Sequence, residues 1–137
     1  MSEATYTGGC FCGGVRYEAA SKAGNLCYCH CESCRRAAGA PMVPWGTFAN
    51  DRFQITKGEL REYRSSARVL RGFCGNCGTS MTYRHEKRPA EIDVILVTLD
   101  DPTVLVPQAH IWLRDKLPWV DINDGKPTFQ QYRPKNS

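Results

Sequence analysis

Eight cysteines in 137 residues, falling in three groups, carry most of the chemistry in this sequence. Cys10 and Cys12 form a C-x-C pair in "GGCFCGG", and Cys74 and Cys77 form a C-x2-C pair in "GFCGNCGT". Cys27, Cys29, Cys31 and Cys34 crowd into "CYCHCESC" around His30. Thiolates at these spacings suit zinc, which takes four protein ligands at structural sites and three plus an exchangeable position at catalytic ones. Glycine beside both short pairs (Gly13 and Gly14, Gly75 and Gly78) lets the chain turn back and aim backbone N–H groups at the sulfurs. The middle group differs, because Cys34 runs into the helix-like Arg35-Arg36-Ala37-Ala38 with no glycine.

Two partitions of these thiols are compatible with the spacing. In the first, Cys10, Cys12, Cys74 and Cys77 close one four-thiolate site, and Cys29, Cys31 and Cys34 form a second with Cys27 nearby. In the second, Cys31 and Cys34 join Cys74 and Cys77, leaving Cys10, Cys12, Cys27 and Cys29. The matching glycine surroundings favour the first. If "CYCHC" is a strand, its period of two turns Cys27, Cys29 and Cys31 to one side and Tyr28 and His30 to the other. His30 is then not a ligand. Cys27 is either a fourth ligand that closes the site or a small buried apolar side chain. C-x2-C pairs also do redox work, but no thioredoxin-like βαβ pattern surrounds these.

The elements that must position the thiols read as many short strands separated by turn signals. "GGVRYEAA", "LCYCHC", "ARVLRGF", "TSMTYRH" and "QAHIWL" are strand candidates, and "EIDVILVTLDD", β-branched and apolar, is the best of them. "PMVPWGTF" carries two prolines and reads as an edge or irregular strand. "RFQITKGELREYR" reads as a hairpin turning at Lys57-Gly58, and "ESCRRAAGA", Glu32 to Ala40, is the one modest helix candidate. The expectation is a mostly β, single-domain chain over 1–137 with a core from about 6 to 129.

Composition narrows the function classes. Eighteen Lys+Arg against 14 Asp+Glu leave a net charge of +4. That is too mild, and too scattered, for a dedicated nucleic-acid binder. The start "MSEATYTGGC" has no signal-peptide pattern, and "VILVTL" falls far short of the roughly 20 residues a membrane span needs. A cytoplasmic protein with no membrane partner is expected. In such a reducing compartment clustered thiols serve metals or redox chemistry more than disulfides.

Four segments, "GGCFCGGVRYEA", "CHCESCRRAAGAPMVPWGTF", "RVLRGFCGNCGTSMTY" and "HIWLRDKLPWV", resemble the glutathione-dependent formaldehyde-activating enzyme family, which includes centromere protein V. The likeness runs from about Tyr6 to about Phe129. It implies a β-tent zinc fold of short antiparallel strands with little helix. It implies two Zn2+ per chain: a structural zinc on Cys10, Cys12, Cys74 and Cys77, and a catalytic zinc on Cys29, Cys31 and Cys34. Cys27 lies outside the family's usual ligand set. The implied activity is that of a carbon–sulfur lyase of the S-(hydroxymethyl)glutathione synthase type, joining glutathione or a related thiol to formaldehyde or another aldehyde.

On that expectation Arg35, Arg36 and Arg71 are candidates to meet glutathione's carboxylates, and Trp45, Trp112 and Trp119 to line a cleft. The alternatives are solvated arginines and core tryptophans. His85 reads as solvent-facing. His110 reads as a hydrogen-bonded core residue or a neighbour of the site. Two rival functions stand beside the enzyme: a non-catalytic two-zinc scaffold gripping a protein or nucleic acid, and a thiol or metal sensor.

Overall fold

In the computed structural model, which describes residues 4–134, the chain forms β1 (Tyr6–Gly9), β2 (Arg16–Ala19), β3 (Gly24–Cys29), α1 (Glu32–Ala38), β4 (Val43–Ala49), β5 (Phe53–Lys57), β6 (Leu60–Ser66), β7 (Val69–Cys74), β8 (Ser80–His85), β9 (Glu91–Ile95) and β10 (His110–Ile111). Three strands make a small sheet in the order β1-β2-β5, and seven make a larger one in the order β10-β3-β4-β9-β8-β7-β6. All pairs are antiparallel except β10 with β3. The chain is thus mostly β, as expected. Among the described residues no helix is long and apolar enough to cross a membrane.

The alternation in β9 shows why these segments become strands. Ile92 and Val94 are buried against the core, while Asp93 points the other way and accepts a hydrogen bond from Thr47 at 2.6 Å. They join Val15, Tyr17, Ala19, Phe48, Met81 and Leu96 in one apolar cluster that glues the two sheets together. A second cluster gathers Cys27, Cys29, Cys34, Val43, Trp45, Ile95 and Ile111 at the other end of the large sheet. β6 is exposed along nearly its whole length and ends the sheet. Its charged Arg61, Glu62 and Arg64 protect that open edge from further pairing.

Four local expectations are corrected. The expected hairpin at Lys57-Gly58 is instead a crossing: β5 pairs with β2 in the small sheet and β6 with β7 in the large one. Gly58 makes this passage with φ +73°, so close to Gly14 that a Cβ would stand 2.0 Å from its carbonyl oxygen. The Pro-containing segment is an interior strand, β4, between β3 and β9. Proline is tolerated there because Pro44 lies just beyond the Trp45–Ile95 pair, where β9 has already given way to a 3-10 turn at Leu96–Thr98. That same turn shortens the expected strand from Glu91. "QAHIWL" contributes only the two residues of β10, running parallel to β3.

Candidate functional site

β3 delivers Cys29 at its end, and the chain bends at once into α1. Cys31 is the N-cap of that helix, with its sulfur accepting a hydrogen bond from the Cys34 N–H at 3.3 Å. A cap with a thiolate sulfur satisfies an otherwise unpaired helix N–H. One short turn thereby brings Cys29, Cys31 and Cys34 together, all three sulfurs within 4.8 Å of one another. Gly39, in the left-handed region, ends the helix two residues before the expected Ala40.

The second set is assembled from distant chain segments. The β1–β2 loop supplies Cys10 and Cys12, the end of β7 supplies Cys74 and the β7–β8 loop Cys77, again within 4.8 Å. Gly13 (φ +76°) and Gly78 (φ +81°) turn the two loops. N–H groups of Val15, Gly14, Asn76 and Cys77 point at the sulfurs of Cys10, Cys12, Cys74 and Cys74 at 3.2–3.4 Å. The Thr79 hydroxyl and further hydrogen bonds push the Cys77 thiol down to about 5.

The donor sets fit a metal ion. Zinc–thiolate bonds of about 2.3 Å in a tetrahedron set sulfurs about 3.8 Å apart. Cys10 and Cys12 are separated by 3.6 Å, and Cys12 and Cys74 by 3.9 Å. Disulfide sulfurs stand at about 2.0 Å, and all eight cysteines are free. In the three-sulfur set, hydrogen bonds from Cys29 and Cys34 hold the Cys31 thiol far below its ordinary value, and the same contact with Cys31 raises Cys29. A cation bound by the set would displace the protons that the three thiols hold.

Cys27 lies on the same face of β3, yet its sulfur is outside the three-sulfur set. It is 1 % exposed among apolar neighbours, and burial pushes its thiol up to about 12. It behaves as a small apolar side chain. Cys27→Ala is expected to leave the metal content of both sets unchanged and to cost about 1 kcal/mol, the scale of a small buried truncation. Metal analysis and thermal melting check both halves.

The three arginines separate. Both terminal nitrogens of Arg71 reach 3.8 Å from the Cys34 sulfur, and its guanidinium lies 5.0 Å over the Tyr83 ring. Arg35 donates to the His30 carbonyl at 3.3 Å, and Arg36 is exposed and paired with Glu32. Trp45 is buried beside the three-sulfur set in a T-shaped contact with Tyr83, and Trp112 packs on the same cluster, whereas Trp119 is 68 % exposed. His85 is half-buried, its Nδ1 accepting from the Lys87 N–H. His30 turns away from the sulfurs and is fully buried, and so is His110. Tyr83 and Asp124, which bonds His110 at 2.8 Å, were not expected from the sequence. Neither carries a spacing signal, because each arrives from a distant segment.

An open groove of about 930 Å³ separates the two sets. Cys10, Phe11 and Cys77 border one side, and Ala38, Val43 and Ile95, neighbours of the three-sulfur set, border the other.

Residues 5–115 match the family model described as glutathione-dependent formaldehyde-activating enzyme. The chain belongs to this family. An uncharacterised lyase of Schizosaccharomyces pombe is 31 % identical over 94 residues, 66 % of this chain and 67 % of that protein. A crystal structure of a Rhodobacter sphaeroides protein, a structural-genomics target, shares the fold with a TM-score of 0.58 at 20 % identity, over 90 % of this chain and 98 % of that one. Membership in the glutathione-dependent formaldehyde-activating family agrees with a thiol substrate and with metal-binding cysteine clusters.

Proposed function

We propose that this chain is a zinc-dependent carbon–sulfur lyase that joins glutathione, or a closely related thiol, to formaldehyde or another small aldehyde. The observation that carries the proposal is the unequal donor count: four sulfurs in one set and three in the other, with Cys27 withheld. Four thiolates make a closed structural site; three leave a place for a guest. Cys10, Cys12, Cys74 and Cys77 would hold the structural zinc, and Cys29, Cys31 and Cys34 the catalytic one. A zinc ion on the three thiolates would keep a substrate thiol ionised and polarise an aldehyde oxygen.

In the forward direction the substrate sulfur bonds to the aldehyde carbon, the carbonyl π bond breaks, and the thiol's proton ends on the new hydroxyl. Reversal breaks the same carbon–sulfur bond. The chain's part is to make a second anion acceptable beside three thiolates. Arg71, the cation against Cys34, offsets that charge, and its cation–π contact with Tyr83 keeps it in place. Trp45 and Trp112 cover the apolar side of the set and restrict water there. The free thiols suit a reducing, cytoplasmic setting.

The nucleic-acid scaffold finds little footing. Arg16, Arg36, Arg64, Arg84 and Arg88 are each tied to a carboxylate, which leaves these five cations less available to a phosphate backbone.

The test follows the S-hydroxymethyl adduct by NMR in glutathione and formaldehyde, with and without protein. A rate above the uncatalysed one, proportional to protein, is expected. Arg71→Ala should lower kcat/KM about tenfold to a hundredfold, the worth of one charge-assisted contact, while Arg36→Ala leaves it within about twofold. A protein-independent rate removes the enzyme.

A further inference from the structure

His30 is the one residue between two sulfurs of the three-sulfur set, and every polar handle it has except Nδ1 is tied down. Its N–H donates to the Ile111 carbonyl at 3.1 Å, and its carbonyl accepts from Arg35. Its ring Nε2 meets His110 Nδ1 at 2.9 Å, and His110 Nε2 meets Asp124 Oδ2 at 2.8 Å. Both rings are buried, at 0 % and 2 % exposure. Tyr28 stacks on the His110 ring at 4.9 Å, and β10 anchors His110 through backbone bonds to Pro127 and Phe129.

The direction of this chain is set from its outer end. An ionised carboxylate only accepts, so His110 Nε2 carries the hydrogen facing Asp124. A neutral His110 then presents its Nδ1 lone pair inward, and His30 Nε2 donates to it. Asp124 thereby selects the His110 tautomer, and that tautomer gives the buried His30 N–H its acceptor. Without an acceptor the His30 ring cannot keep its place at no cost, because a buried donor must find a partner. The backbone of His30 joins Cys29 to Cys31 and is itself held by the Ile111 carbonyl and Arg35, so repacking of this ring acts on the segment that carries two of the three sulfurs.

We propose that Asp124 and His110 are positioning residues for the Cys29–Cys31–Cys34 set, acting through His30. The inference rests on the reading that this set holds a metal ion. Hydrogen-bonded groups behind metal ligands typically alter metal affinity or activity by about 10- to 100-fold. The four-sulfur set lies on the β1–β2 loop, the end of β7 and the β7–β8 loop and takes no part in the His30–His110–Asp124 chain, so it serves as an internal control.

The experiment loads the full chain with Cd2+ under reducing conditions. Cadmium NMR distinguishes the four-sulfur from the three-sulfur environment, and competition with a chelator measures retention at each. Asp124→Ala should release Cd2+ from the three-sulfur set about 10- to 100-fold more readily, with the four-sulfur signal unchanged and the melting transition still cooperative, lowered only by the cost of one unpaired buried donor. Asp124→Asn keeps an amide oxygen that can accept from His110 and should restore retention. Equal retention at the three-sulfur set in wild type and Asp124→Ala overturns the inference. So does equal loosening of both sets, which would mean general destabilisation. A wild type that takes only one Cd2+, at the four-sulfur set, overturns the metal reading itself and the inference with it.

Discussion

Cys74→Ser is expected to abolish cooperative folding. Cys74 closes β7 at 2 % exposure, its sulfur accepts two backbone N–H bonds, and it shares its set with Cys10 and Cys12 from the N-terminal loop. A zinc ion held by that set, as proposed, would cross-link the loop that leaves the small sheet to the β7–β8 end of the large one. Structural zinc in small domains is worth an apparent ~10–16 kcal/mol, against a typical domain stability of ~5–15 kcal/mol. A hydroxyl in place of one thiolate forfeits much of that stabilisation. It also leaves the two N–H groups facing a shorter side chain. The measurement is a thermal melt followed by circular dichroism, with zinc content on the same sample. Wild type treated with a strong chelator should lose its transition in the same way. A Cys74→Ser protein that melts within a few degrees of wild type would sink the structural role of this set.

Cys29→Ser is expected to do the opposite: keep the fold and lose the chemistry. Cys29 sits at the end of β3, whose pairing with β4 and β10 does not depend on its sulfur. Removing it leaves two thiolates, too few to hold a divalent ion firmly in that set. Metal content should fall from two per chain to one, and adduct formation should drop to the uncatalysed rate. The melting transition should stay cooperative, lowered by a small amount typical of one buried polar substitution. Adduct formation at the wild-type rate would remove the three-sulfur set from the reaction, whatever metal it holds. The contrast between these two variants separates a set that builds the molecule from one that works in it.

Much of this was legible without coordinates, because metal-binding chemistry is local in sequence. A thiol pair needs a turn between its members, and glycine marks the turn; Gly13 and Gly78 do have the positive φ that the pairs require. The alternation expected through "CYCHC" holds only as far as Cys29, where β3 ends; His30 lies outside the three-sulfur set because its ring is bonded to His110, and Cys31 joins the set as a helix cap. The β-branched, apolar run from Glu91 marked β9, because such side chains suit a pleated, buried surface. The hairpin at Lys57-Gly58 misled, because a turn signal reports that the chain bends, not which strand each arm will meet.

What the sequence by itself determined, then, is what depends on neighbours within a few residues: the three cysteine groups, their turns, the strand-rich composition and the family signature. Only the tertiary structure decided that Cys27, on the same face as Cys29, is left out, because the bend from β3 into α1 carries Cys31 and Cys34 away from it. It alone put Arg71 against Cys34, 37 positions apart, and linked His30 to Asp124 through His110, 80 positions downstream of His30. Such contacts are fixed by sheet order and strand register, and those follow from burying one shared core rather than from any local pattern.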